Sequence, residues 1–284
     1  MSYVKMIVHN KYYHEVYKYY SGRIGKKIYN SPATGKTPLK QLRYQDRKAE
    51  RFCRWKLDNN FKAGDLFITL TYKADEKPAS EQARKNISSL LARLRIEYKK
   101  IDKSLKYIYV AGRTKRGAVH FHIVLNKIDI NIISEAWRKI AGGKVLAQSL
   151  YGREFGNLAS YLIKNSCETF YSNDKIHNKR YCSSNNLELP AIERKIIGAK
   201  EWRKQSKAPK GYIIDKPSLY NGYGWLECEN GWNGCETQYY RLIPIEKTTH
   251  YSKRKSLARL NIPILDYDIE RNIYHDTDNV IRYR

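Results

Sequence analysis

Residues 107–126 read YIYVAGRTKRGAVHFHIVLN: two runs of β-branched and aromatic residues either side of the basic turn GRTKRG (112–117). Tyr107–Ala111 and Ala118–Asn126 therefore predict the two strands of a hairpin. Side chains alternate along a strand, so His120 and His122 project side by side from one face. Their separation suits two ligands of one divalent ion. The same pattern also describes two surface histidines on a half-exposed strand.

Working outward, LFITLTY (66–72) follows the turn Ala63-Gly64-Asp65 and has the length and composition of a strand. After Lys77-Pro78, residues 82–100 carry apolar side chains at 87, 90, 91, 94 and 98, the spacing of one helix face. Beyond the hairpin, Asn131 is positioned to cap a short helix, IISEAWRKI, which Gly142-Gly143 closes. Lys144–Leu150 is a candidate fourth strand. Gly156–Cys167 (GNLASYLIKNSC) places Leu158, Leu162 and Ile163 at helical spacing. The order β-α-β-β-α-β plus a helix predicts an α+β core over residues 61–170. Its expected form is a ferredoxin-like or RRM-like antiparallel sheet with helices on one face.

Residues 1–60 form a basic, Tyr-rich N-terminal extension with a helix running from Thr37-Pro38 through LKQLRYQDRKAERFCRWKLDNN. Residues 171–284 form a C-terminal extension of Asn-, Ser- and Gly-rich loops. It contains helix-like IERKIIGAKEWRKQ (192–205) and the aromatic stretch GYGWLECENGWNGCETQYYRLIPI (222–245).

Composition narrows the function classes. Over 284 residues, 54 Lys and Arg oppose 28 Asp and Glu, a formal net charge of +26, while 42% of residues are hydrophobic. A disordered basic tail is thereby excluded, and a polyanion is the expected partner. Lys, Asn, Ile and Tyr are also what an AT-rich genome encodes, so the 25 tyrosines are not by themselves a binding signal. Five cysteines (Cys53, Cys167, Cys182, Cys228, Cys235) without a CxxC pair argue against a disulfide scaffold or zinc ribbon and suit a reducing cytoplasm. Cys228 and Cys235 have no histidine between them and are not expected ligands. No signal-peptide-like segment and no apolar run near 18 residues is present, so no membrane partner is expected. Thr34-Gly35-Lys36-Thr37 lacks the upstream glycine and the preceding apolar strand of a phosphate-binding loop, which rejects an ATPase.

Tyr161 and Lys164, three apart on the last predicted helix, share a face. A lone tyrosine there is usually half-buried packing. Taken in order, FITLT (67–71), HFH (120–122) and YLIK (161–164) resemble the three motifs of the HUH endonucleases. Within that superfamily the resemblance is to the rolling-circle replication initiators of small plasmids and phages. Looser similarity extends to TPLKQLRYQDRKAERFCRWKLDNNF, SSNNLELP, APKGYIID and TQYYRL.

The resemblance implies a nuclease that nicks one strand of origin DNA. Tyr161 would attack phosphorus to leave a 5′-phosphotyrosine and a free 3′-OH, with Lys164 in support. It also implies Mg²⁺ or Mn²⁺ on His120 and His122. A carboxylate usually completes that site, and Gly112 stands where it is expected. Asn165, one turn after Tyr161, is the favoured substitute, with Glu154 and Glu168 as other candidates. Arg113, Lys115 and Arg116 at the hairpin tip, and Arg138 and Lys139, are candidate DNA contacts. The tip is equally read as an ordinary solvated turn. Trp202, Trp225 and Trp232 are either base-stacking or core residues. The expected partners are single-stranded origin DNA and a host helicase. The alternatives are a relaxase or transposase of the same superfamily and, in a different class, a non-catalytic nucleic-acid-binding protein with an RRM-like sheet. RNA readers of that kind expose aromatics on the central strands, where this chain has two histidines.

Overall fold

Alternating apolar positions on both faces of the central strands decide this architecture, because a sheet that is apolar on two sides must be covered twice. A computed structural model describes residues 2–20, 39–73, 75–114, 117–224 and 235–245. In chain order the elements are β1 (Tyr3–His9), β2 (His14–Tyr20), α1 (Leu39–Asn60), β3 (Leu66–Thr71), α2 (Ser80–Lys100), β4 (Tyr107–Arg113), β5 (Val119–Leu125), α3 (Ile130–Ala141), β6 (Lys144–Ser149), α4 (Gly156–Phe170), β7 (Cys182–Ser183), β8 (Ala191–Ile197), β9 (Tyr212–Gly224) and β10 (Cys235–Pro244). Among the described residues no helix is long and apolar enough to cross a membrane.

The core sheet has the order β6-β3-β5-β4-β7, every neighbouring pair antiparallel. The β-α-β-β-α-β order expected over residues 61–170 is present, with β5 inserted between β3 and β4, as a split βαβ requires. One face packs Ile68, Leu70, Tyr109, Phe121 and Ile123 against Ile87, Leu90 and Leu94 of α2 and Ile133 and Trp137 of α3. The helices are not confined to that face, which corrects the expectation. Phe67, Ile108, Val110 and Val124 point the other way, onto Cys53, Leu57 and Phe61 of α1 and Leu158, Leu162 and Ile163 of α4.

Two local expectations also change. Asp129, not Asn131, caps α3: its carboxylate accepts from the Asn131 amide at 2.9 Å. Gly142 closes the helix with φ 60°, a left-handed conformation that glycine adopts without strain. Residues 191–197 are a strand rather than part of a helix. Ile192, Arg194 and Ile196 recur every second residue, and β1 supplies a full antiparallel partner from Tyr3 to His9.

A second sheet has the order β8-β1-β2-β10-β9, so both ends of the described chain meet in it. Its inner face (Val4, Met6, Val8, Tyr17, Tyr19) packs on Trp55 of α1. Helix α1 therefore lies between the two sheets. Glu15 of β2, fully buried, fixes this arrangement: it pairs with Arg54 and accepts from Trp55 Nε1 at 2.6 Å, Tyr17 Oη at 3.2 Å and Tyr239 Oη at 2.9 Å. A buried carboxylate is tolerated only with such a complete set of donors. Asp58 of α1 accepts from Tyr13 Oη at 2.5 Å and from the Phe155 amide at 2.7 Å.

Candidate active site

The register of the core sheet sets the site. Thr71 and Gly112 flank His120, and Thr69 and Val110 flank His122, so these side chains share one face. His122 is buried and His120 half-buried, with ring centroids 4.8 Å apart at 75°. Helix α4 packs against β4 on this face and brings Tyr161 over the pair. Tyr161 Oη lies 3.3 Å from His122 Nε2, and the rings are 5.1 Å apart. The pairing of His120, His122 and Tyr161 expected from spacing alone is thus present in space.

Three supporting residues complete the geometry. Thr69 Oγ1 is 3.0 Å from His122 Nδ1, which fixes the ring and leaves Nε2 for the site. Phe67 stacks on His122 at 5.7 Å and 16°, and meets Tyr161 edge-on at 6.0 Å. Gly112 is the third. A Cβ built there would come within 2.4 Å of His120 Nε2, because the imidazole lies across the glycine. The position where a carboxylate is expected is the seat of the first histidine. FITLT contains Phe67 and Thr69 but not their partners, since cross-strand register is absent from a linear pattern.

Burial sets the protonation states. The His122 imidazole is pushed down to about 3, first by burial and then by the neighbouring His120. His120 is also held below its ordinary value by burial, with the Ala118 main chain opposing. Both rings are neutral at physiological pH and can act as ligands or acceptors. Burial raises the Tyr161 phenol, the Asn165 side chain opposing. Tyr161 therefore carries its proton at rest.

The remaining candidates separate. Asn165 donates from Nδ2 to the Tyr161 carbonyl at 2.8 Å and stays beside the site. Glu154 is committed to Arg241 at 2.6 Å, and the side chain of Glu168 lies outside the described residues. Lys164 is exposed one turn from Tyr161 and forms no ion pair among the described residues. Arg113 holds Asp174 at 2.6 Å, Ser80 Oγ at 2.8 Å and the Gly117 carbonyl at 3.2 Å. Lys115 and Arg116 lie outside the described residues, as do Trp225, Trp232 and the 34–37 segment. Arg138 and Lys139 are exposed at the end of α3, in the layer behind the sheet, and Lys139 pairs with Glu135.

Two imidazoles and one amide are an incomplete set for a hard cation, and no group of three His, Cys, Asp or Glu able to hold a metal occurs among the described residues. Yet His120 Nδ1 is buried without a hydrogen-bond partner, and His122 Nε2 has only the phenol. Nitrogen donors of this kind fit a first-row transition ion better than Mg²⁺.

Residues 65–168 match the model of a family of replication-associated proteins, the ORF2 family. The matched segment is less than half the chain. It contains the split βαβ core, both histidines, Thr69, Gly112 and Tyr161. No curated protein and no solved structure matches. The similarity supports a role in the initiation of replication for this core.

Proposed function

We propose that the protein initiates rolling-circle replication by nicking and rejoining one DNA strand through Tyr161. The observation that carries this reading is the phenol of Tyr161 held 3.3 Å from the neutral Nε2 of His122, with His120 alongside. In the step, Tyr161 Oη bonds to phosphorus as the P–O3′ bond breaks. The product is a 5′-phosphotyrosine and a 3′-oxygen that leaves with a proton. Because the phosphodiester is exchanged rather than hydrolysed, the 3′-OH can later attack the tyrosine ester and reseal a strand.

His120, His122 and the amide oxygen of Asn165 would hold a divalent ion, with Mn²⁺ favoured over Mg²⁺ by the nitrogen donors. Such an ion supplies charge neutralisation at the phosphoryl oxygens. Thr69 and Phe67 keep the His122 ring fixed, and α4 keeps the nucleophile in line. Helices α1 and α4 cover the β4 side of this face, whereas Lys144, Leu146 and Gln148 on β6 extend the rows of Thr71, Thr69 and Phe67 into the open. Leu146 is 66% exposed. The substrate strand approaches over this uncovered half, where Lys144 and Lys164 supply cations.

The test is incubation with a labelled single strand and Mn²⁺, Mg²⁺ or a chelator, followed by denaturing electrophoresis. A metal-dependent protein–DNA band that survives denaturation is expected. Binding without any cleavage under all three conditions would overturn the reading in favour of a non-catalytic binder.

A further inference from the structure

Every strand of the second sheet has an outer face, turned away from α1, and that face is not needed for the site on the core sheet. On it Lys5 stands directly opposite both Lys18 and Lys195, and the row continues through Gln238 to Asn221. Like charges placed directly opposite on a sheet are destabilising, so a merely solubilising surface would not be expected to align three lysines. Burial and the neighbouring Lys5 push Lys18 down to about 8, so the row already carries electrostatic cost in the free protein.

Residues 198–211 cross this face as a strap. Its main chain is tied down: Tyr20 Oη donates to the Lys200 carbonyl at 2.7 Å, and Gln238 Nε2 to those of Arg203 and Lys204 at 2.9 and 3.0 Å. Trp202 sits on Tyr3 and Tyr20, with centroids 5.3 and 4.7 Å away. Lys18 Nζ reaches Ser206 Oγ at 3.2 Å and Gln238 Oε1 at 2.8 Å. With the carbonyls turned to the sheet, Lys200, Arg203, Lys204, Lys207 and Lys210 are left exposed. None of the five forms an ion pair among the described residues. Glu201 is the strap's one acid, and Glu193 pairs with Lys195 at 2.7 Å.

We infer that this face is a second nucleic-acid site that holds duplex DNA by its phosphates. A duplex is favoured over a single strand by two observations. The rings of Tyr3, Tyr20 and Trp202 are packed on one another rather than splayed to receive unstacked bases, which single-strand binding uses. The exposed surface therefore offers cations alone, and the duplex has twice the phosphate density of one strand, about one charge per 1.7 Å. Contacts of this type position DNA without reading its sequence. The lysine row and strap would hold double-stranded DNA on one side of the molecule while a melted strand enters the site on the other.

The fourfold change Lys200→Gln, Arg203→Gln, Lys204→Gln, Lys207→Gln removes side chains whose backbone anchors remain. Binding of a hairpin-free duplex of about 20 base pairs is followed by fluorescence anisotropy over a salt series, without metal and on a Tyr161→Phe background, so that the result does not depend on the nicking chemistry. The slope of log K against log salt should become shallower by about 3 to 4, at roughly 0.9 per lost phosphate contact. Single-strand binding should change by less than about twofold. An unchanged duplex slope, or an equal loss for single strand and duplex, would overturn the inference. The pair Lys207→Gln and Lys210→Gln, outside the hydrogen-bonded stretch of the strap, reads the same quantity if the fourfold variant does not fold, with an expected change of about 2.

Discussion

The core sheet draws its long strands from one continuous stretch, residues 66–149, whereas the second sheet joins β1 and β2 from the first 20 residues to β8, β9 and β10 from 191–244. Both are five-stranded and antiparallel, but they carry different chemistry. The core sheet places two neutral imidazoles and a phenol on one face, and the second sheet places a row of lysines. Burial separates the two. Histidines under α4 lose their charge, while lysines at an uncovered face keep theirs. A pleated face becomes reactive or adhesive according to what lies over it.

The contrast can be broken most sharply at Tyr161. Tyr161→Phe keeps the ring packed against Phe67 and removes only the oxygen, so cleavage and covalent adduct should fall by about 10⁴-fold or more, with DNA affinity unchanged. A variant that still forms the adduct would place the nucleophile elsewhere.

Next in size is the link between the sheets. Glu15→Gln leaves Arg54 buried without its counter-charge and should cost about 3 to 5 kcal/mol, measured by denaturant unfolding. Asp58 offers a pH test of the same seam. Burial, the largest influence, raises its carboxyl to about 6, above the ordinary value of 3.8. The folded state thus holds the proton more tightly than the unfolded chain. The stabilisation is complete below about pH 4 and is lost as pH rises through 6, on the order of 2 to 3 kcal/mol. Asp58→Asn, which cannot titrate, should flatten that interval of the stability curve.

The smallest effect sharpens the site itself. Gly112→Ala should displace the His120 ring and reduce metal-dependent nicking roughly tenfold, with melting temperature little changed. Nicking that is unaffected would mean that the position of His120 is not critical.

Local signals explain what could be read in advance. The strand and helix periods of residues 66–167 locate the elements of the core, and HFH with YLIK locates the two halves of the site. Thr69 and Gly112 acquire their roles only through the β3-β5-β4 register, which depends on residues some 50 positions apart or across a turn. The second sheet was less legible for the same reason. YVKMIVH and HEVYKYY mix Lys, Glu and His with apolar residues, and become strands because β8 and β10 supply distant backbone partners. IERKIIG, helix-like in isolation, is pulled into β8 by that pairing. Covering helices on both faces follow from Phe67, Ile108, Val110 and Val124, whose alternation was visible but whose partner α1 lies outside the split βαβ.

The stitched sheet also has a history in time. During synthesis β1 and β2 emerge first, yet β10, which pairs with β2 and supplies the Tyr239 donor to Glu15, emerges more than 200 residues later. At about 5–20 residues per second, the early hairpin waits on the order of 10 to 45 s with one edge unpaired and its carboxylate only partly satisfied. The core, complete by residue 170, can form in that interval and present α1 as a template. A ribosome stalled before β10 would thus release a chain with its chemistry assembled but an open strand edge, the species most exposed to proteolysis and aggregation.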